Sequence, residues 1–196
     1  ASTKNVLGSM SKGIEFNGAL VTNNSIEGNF IGTDKDGVTA LPNSEGISIY
    51  SGASNNVVGG PSAASRNVIS GNDVGVRVDG SNGTTITNNL VGLQQDGLAS
   101  LANSDTGIYL SGDSNNTTIG GVSLTMNAAN YIGGGGGYGL ALLPTPGTSG
   151  NRVVGNFVGL NQAEQARGNS LAGILVKDTS DITIGGIVAG SKNVIS

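Results

Sequence analysis

The chain has neither cysteine nor histidine, and those two gaps narrow its chemistry before any motif is read. Without cysteine there is no disulfide and no thiolate nucleophile. Without histidine the commonest general base and the commonest metal ligand are missing. Charged residues are 11% of the 196, with a net charge of −4 and no basic run, so neither nucleic acid nor an anionic membrane surface is an expected partner. No apolar run approaches the roughly 20 residues that span a bilayer, and no membrane insertion is expected. No signal-peptide pattern opens the sequence, which leaves a mature, fragmentary or cytosolic chain. Aromatics are 4% and prolines four. Low charge with few aromatics can mark disorder, but Val, Ile and Leu recur at fixed places. No 11-residue window holds a helical period.

Glycine is abundant, 35 residues, and Asn is common. Together with spaced β-branched residues they fit short strands joined by tight turns. A Gly-apolar-x-apolar tetrad recurs at Gly13–Phe16, Gly46–Ile49, Gly75–Val78, Gly107–Leu110, Gly139–Leu142 and Gly173–Val176, at spacings of 33, 29, 32, 32 and 34 residues. Such a period is the signature of a repeat architecture. Two kinds of unit alternate. One carries Gly28-Asn-Phe-Ile-Gly32, Asn88-Asn-Leu-Val-Gly92 or Gly155-Asn-Phe-Val-Gly159, followed by a longer arm such as Asp36–Ser44 or Asp96–Ser104. The other carries Val58-Gly-Gly60, Ile119-Gly-Gly121 or Ile184-Gly-Gly186 and runs into Asn67–Ser70, Asn130–Gly133 or Asn193–Ser196. The true period is two coils, about 63 residues. Lys4–Leu7 and Lys192–Ile195 share a phase, so residues 1–196 read as one segment of three double repeats. Neither end shows the cap that a solenoid needs. A fragment of a longer protein, or a subunit stacked on neighbours, is expected.

Each unit offers three short extended segments, in the first near Val6–Leu7, Ile14–Phe16 and Ile26–Ile31. In Ile-x-Ile the outer residues point inward and the middle one outward. Stacked one coil on the next at about 4.8 Å, these segments give an all-β parallel solenoid of about six coils, three strands per coil, around one apolar core. Asn-Asn or Asn-Gly at 23–24, 55–56, 82–83 and 115–116 suits corners with left-handed backbone. Asn side chains stacked there can hydrogen-bond along the axis.

Asn24–Gly32 (Asn-Ser-Ile-Glu-Gly-Asn-Phe-Ile-Gly) and Asn67–Asn72 give the chain a resemblance to right-handed parallel β-helix proteins of the pectate-lyase-like superfamily. The likeness is greatest to long bacterial surface or secreted repeat proteins. It covers essentially the whole chain and implies a right-handed β-helix and an extracellular or cell-surface location. It does not fix function, because the superfamily holds lyases, hydrolases, epimerases, tailspikes and adhesins.

Enzymes of that superfamily gather acidic residues, with an Arg or Lys, on adjacent coils of one sheet; carboxylates bind calcium or protonate a leaving oxygen. Here the outward rows read Glu15, Ser48, Arg77, Tyr109, Ala141, Leu175 and Asn17, Tyr50, Asp79, Ser111, Leu143, Lys177. Neither row sets two acids side by side. No catalytic residue, metal ligand or cofactor is therefore assigned. Tyr50, Arg77, Asp79 and Tyr109, on three successive coils, form a candidate saccharide face, with an ordinary exposed face and surface salt bridge as the competing reading. Asp34-Lys-Asp-Gly37 lacks the distal bidentate acid of a calcium loop and reads as a solvated turn. Gly133–Gly137 lacks the Lys-Ser or Lys-Thr and helix of a phosphate loop and reads as a slack turn. Thr85/Thr87 is read as lacking the matching neighbours of an ice-binding face. The leading functional expectation is a structural or adhesive extracellular solenoid able to self-associate head to tail into a fibre. The alternative is a carbohydrate-active or polysaccharide-binding module, lyase- or epimerase-like. A trimeric tailspike-like shaft is a third reading.

Overall fold

The computed structural model describes residues 4–122 and 128–196 and shows an all-β parallel solenoid. Sheet A stacks Val6–Leu7 (β1), Phe30–Ile31 (β4), Val68–Ile69 (β7), Leu90–Val91 (β10), Tyr131–Ile132 (β13), Phe157–Val158 (β16) and Val194–Ile195 (β19). Sheet B stacks Lys12–Asn17 (β2), Glu45–Tyr50 (β5), Val74–Asp79 (β8), Thr106–Gly112 (β11), Tyr138–Pro144 (β14) and Ala172–Val176 (β17). Sheet C stacks Ser25–Ile26 (β3), Val57–Gly59 (β6), Thr85–Thr87 (β9), Thr118–Gly120 (β12), Asn151–Val154 (β15) and Ile182–Ile184 (β18). The chain visits A, B and C in turn, and each strand pairs in parallel with its equivalent one coil away. A 3₁₀ turn, Ala63–Ser65, interrupts the strands between sheets C and A.

The apolar tetrads stand in file. Ile14, Ile47, Val76, Ile108, Leu140 and Ile174 are successive partners in sheet B. Ile31, Ile69, Val91, Ile132 and Val158 do the same in sheet A, and Ile26, Val58, Ile86, Ile119 and Val153 in sheet C. These rows form one buried core, each Val, Ile or Leu contributing about 1.5–3 kcal/mol relative to exposure. The tetrad begins with glycine because the next coil leaves no room for a side chain there. A Cβ on Gly13, Gly46, Gly75, Gly107 or Gly139 would lie 2.5–2.6 Å from the carbonyl oxygen of the next tetrad glycine.

Polar ladders run beside the core. Where sheet C hands over to sheet A, Asn5, Asn29, Asn67, Asn89, Asn130, Asn156 and Asn193 are linked Nδ2 to Oδ1 over 2.9–3.2 Å. The same amides cap sheet C carbonyls: Asn67 donates to Ile26 O, Asn89 to Val58 O and Asn130 to Ile86 O. A shorter ladder joins Asn43, Asn72 and Asn103. At the B-to-C corner, Asn24 donates to Asn56 and Asn115 to Asn82. Asn23, Asn55 and Asn116 take φ of 54–58° and Gly83 takes 67°, the left-handed corner that the Asn-Asn and Asn-Gly pairs imply.

Three expectations change. Ile26–Ile31 is not one segment: Gly28, at φ 67°, turns the chain so that Ser25–Ile26 ends sheet C and Phe30–Ile31 opens the next coil in sheet A. The apolar residues do not all line one core. Phe30, Val68, Leu90, Leu93 and Tyr131 form a second buried cluster outside the tube, against which Phe157 packs, with the Tyr131 and Phe157 rings stacked at 4.7 Å. The arms lie over this stripe, since a Cβ on Gly37 would come within 3.2 Å of the Phe30 ring. Arms also bond to arms two coils away, Gln95 N–H to Gly37 O and Gln162 N–H to Gly97 O, which gives the two-coil period its physical cause. Third, Gly133–Gly137 is tight rather than slack. A Cβ on Gly136 or Gly137 would meet the Ser104 or Asp105 carbonyl oxygen at 2.1 or 2.3 Å.

Candidate functional site

The first four coils of sheet B gather polar side chains into one face, which ends where the rows pass to Ala141 and Leu143. The register sets Glu15 beside Ser48, Arg77 and Tyr109, and Asn17 beside Tyr50, Asp79 and Ser111, as the spacing of the tetrads implies. Tyr50, Arg77, Asp79 and Tyr109 therefore share one surface. The Arg77 guanidinium lies 5.0 Å from the Tyr109 ring centroid and pairs with Asp79 at 3.3 Å. A groove of about 440 Å³ opens beside it, lined by Lys12, Glu45, Tyr50, Arg77 and Asp79 among others. Tyr109 stands outside that lining and enters only through its ring contact with Arg77.

Two participants were missed in the sequence. Glu45 reaches Arg77 at 3.5 Å and accepts a hydrogen bond from Ser48 Oγ. Lys12 lies 4.3 Å from the Tyr50 ring centroid, donates to Tyr50 Oη over 2.7 Å and pairs with Glu15 at 3.6 Å. Both residues immediately precede a tetrad glycine and are register partners. Stepping the rows back by two from Glu15 reaches Gly13, and strict alternation would turn Lys12 and Glu45 inward, so the alternation itself hid them.

Each charge in the face has a partner of opposite sign, with three carboxylates to two cations. Tyr50 donates to Glu15; this bond, with Lys12 nearby, holds the Glu15 carboxyl below its ordinary range. The Tyr50 hydroxyl likewise raises Lys12. A general acid working near neutral pH needs its pKa raised instead. The face is thus an ordered set of ion pairs and aromatic rings, suited to hydrogen-bonding a polar ligand.

The remaining motifs are structural. Asp34 Oδ1 accepts the backbone N–H groups of Asp36, Val38 and Thr39, so it closes the arm. No group of three or more acids among the described residues is placed to hold a metal. Thr85 does stand beside Thr118, which corrects the expectation that it lacks a matching neighbour. The row then passes to Arg152, and Thr87 is flanked by Gly59, so no flat threonine face forms. No helix among the described residues is long and apolar enough to cross a membrane. No protein-family profile, curated protein or solved structure matches the chain.

Proposed function

We propose that the chain is a structural or adhesive β-solenoid of the extracellular space or cell surface, whose work is to hold a stiff stack of coils. The seven-rung asparagine ladder carries this reading. It runs from the first coil to the last beside three parallel sheets, so neighbouring coils are joined by backbone pairing, apolar rows and side-chain bonds along one axis. Repeats of this kind gain length by adding units, each held by its neighbours. The resemblance of Asn24–Gly32 and Asn67–Asn72 to surface and secreted repeat sequences motivates the location. Pulled by its two ends in a single-molecule force experiment, the chain is expected to yield coil by coil. Each step releases 29–34 residues, roughly 100 Å at about 3.4 Å per residue. One cooperative collapse, unaltered when the ladder is cut by Asn89→Ala, would refute the reading.

A second reading is favoured by the pairing of aromatic rings with cations at Lys12–Tyr50 and Arg77–Tyr109 beside a groove. In that reading the face of Tyr50, Arg77, Asp79 and Tyr109 holds an acidic polysaccharide, with Arg77 on a uronate carboxylate. Incubation with pectin or alginate, followed by unsaturated-uronate absorbance or a binding titration, separates the two. Binding or turnover abolished by Arg77→Ala would put this reading first.

A further inference from the structure

Two cations sit half-buried, with no acid paired to them, at the corner where sheet C hands over to sheet A. The position just before successive rungs of the long asparagine ladder reads Lys4, Gly28, Arg66, Asn88 and Ala129. Lys4 and Arg66 are half-buried, and among the described residues neither joins an ion pair. A partly buried charge without a counter-charge is costly. The stack does not demand it: one double repeat beyond Arg66 the same place holds Ala129, and the strands keep their register. We propose that Arg66 and Lys4 form a binding site for a tetrahedral oxyanion, a sulfate or phosphate group. The site lies off sheet B and goes beyond both the structural and the saccharide reading.

The arginine is held in place. Asn88 is fully buried, and its Nδ2 donates to Gly60 O at 2.8 Å and Ser62 O at 2.7 Å. Its amide is thereby fixed, with Oδ1 accepting from Arg66 Nε at 2.9 Å. That bond leaves the Nη1–Nη2 edge of the guanidinium, which no acceptor among the described residues meets. A planar fork presented in this way matches two oxygens of an oxyanion. Lys4 reaches in from two rungs away. Its Nζ donates to Arg66 O at 3.3 Å and lies 4.7 Å from the Phe30 ring centroid. Gly28, on the rung between, puts no side chain in its path. An ammonium has three donors, so two remain. Burial and then the Arg66 charge lower Lys4, and burial lowers Arg66, as befits like charges drawn out of water with no acid beside them. Glu27 Oε1, which a Cβ on Gly60 would meet at 3.2 Å, pairs with neither cation. A sulfate or phosphate group has oxygens for the fork and for the ammonium together, whereas the fork alone takes up both oxygens of a carboxylate.

The test is a titration of the full chain with inorganic phosphate, inorganic sulfate and, for comparison, acetate, at an ionic strength held constant with sodium chloride. NMR shifts of the Gly28, Arg66 and Asn88 amides read the binding. Phosphate or sulfate is expected to shift these amides saturably. Arg66→Ala should weaken that binding about tenfold or more, and Lys4→Gln severalfold. Arg66→Lys keeps the charge but not the fork, and should not restore the affinity. Glucose 6-sulfate and glucose 6-phosphate, titrated beside the free ions, identify the source. Tighter binding of an ester marks a sugar-borne group and equal binding marks the free ion, and either result supports the site. Shifts that grow with concentration without saturating overturn the proposal. So does an affinity unaltered by Arg66→Ala, or acetate bound as tightly as phosphate. Because the stack keeps Ala129 in the equivalent place, Arg66→Ala is expected to fold. Should it not, Lys4→Gln decides, and an unaltered affinity there overturns the site. None of these outcomes depends on the force steps or on the pectin and alginate assay, which test the other readings separately.

Discussion

Replacing Asn89 by Ala cuts the long asparagine ladder at its middle rung. Asn89 is fully buried. Its amide donates to Val58 O at 3.0 Å, Thr87 O at 2.9 Å and Asn130 Oδ1 at 3.0 Å, and its oxygen accepts from Asn67 Nδ2 at 2.9 Å. A buried polar group left without its partner costs about 1–3 kcal/mol. Two of the four partners keep another bond: Asn67 Nδ2 still reaches Ile26 O, and Asn130 Oδ1 still accepts the residue 89 N–H. The expected loss is therefore about 2–4 kcal/mol, or roughly 5–15 °C in melting temperature for a chain of this size. Urea denaturation followed by far-ultraviolet circular dichroism reads it, with Asn193→Ala as the internal control. Asn193 is only half-buried, at the last rung, and its loss should cost about 1 kcal/mol or less. Equal costs at rungs 89 and 193 would refute the idea that the ladder is a cooperative element.

Three further outcomes follow from the same geometry. Thr84 Oγ1 and Thr117 Oγ1 are buried without a hydrogen-bond partner, in a row where Asn56 and Asn151 reach backbone carbonyls. Thr84→Asn or Thr117→Asn should extend that row and raise stability by about 1 kcal/mol each in a urea midpoint. At Gly59, φ is +91° and a Cβ would fall 1.8 Å from Thr87 O, whereas Gly80, at φ +59°, has open space around it. Gly59→Ala should thus prevent folding or cost more than about 4 kcal/mol, and Gly80→Ala only about 1–2 kcal/mol, by thermal melting. Asp34 is pulled down to about 2, first by the Val38 N–H and then by Thr39. With its folded pKa depressed, its contribution to arm stability is present above the ordinary carboxylate range and lost as pH falls toward 2. An NMR titration should place its midpoint near 2, and Asp34→Asn should remove the pH dependence of amide exchange in the arm.

Most of the architecture was legible because the fold repeats a local rule. Six tetrads, each opened by a glycine that the next coil crowds and followed by alternating in–out residues, set strand, facing and register together. The rows of Ile14 and Glu15 could be written down from spacing alone, and the juxtaposition of Tyr50, Arg77, Asp79 and Tyr109 followed. What was missed lay where that rule stops. Lys12 and Glu45 sit just ahead of the tetrad, where no apolar neighbour marks a strand. The outward burial of Phe30, Leu90 and Tyr131 depends on arms pairing across about 58–65 residues of sequence, which no local alternation reveals. The tightness at Gly136 and Gly137 comes from the backbone of a different coil.

Distances along one sheet test the shared register most directly. Nitroxide labels placed pairwise between residue 15 and residues 109, 141 and 175 all lie on one outward row of sheet B. Pulsed electron–electron resonance should find separations that climb by about 4.8 Å per coil, near 14, 19 and 24 Å before label length is added. Separations that fail to rise with coil number, or that return the 175 label to the neighbourhood of residue 15, would contradict a single stack of parallel coils.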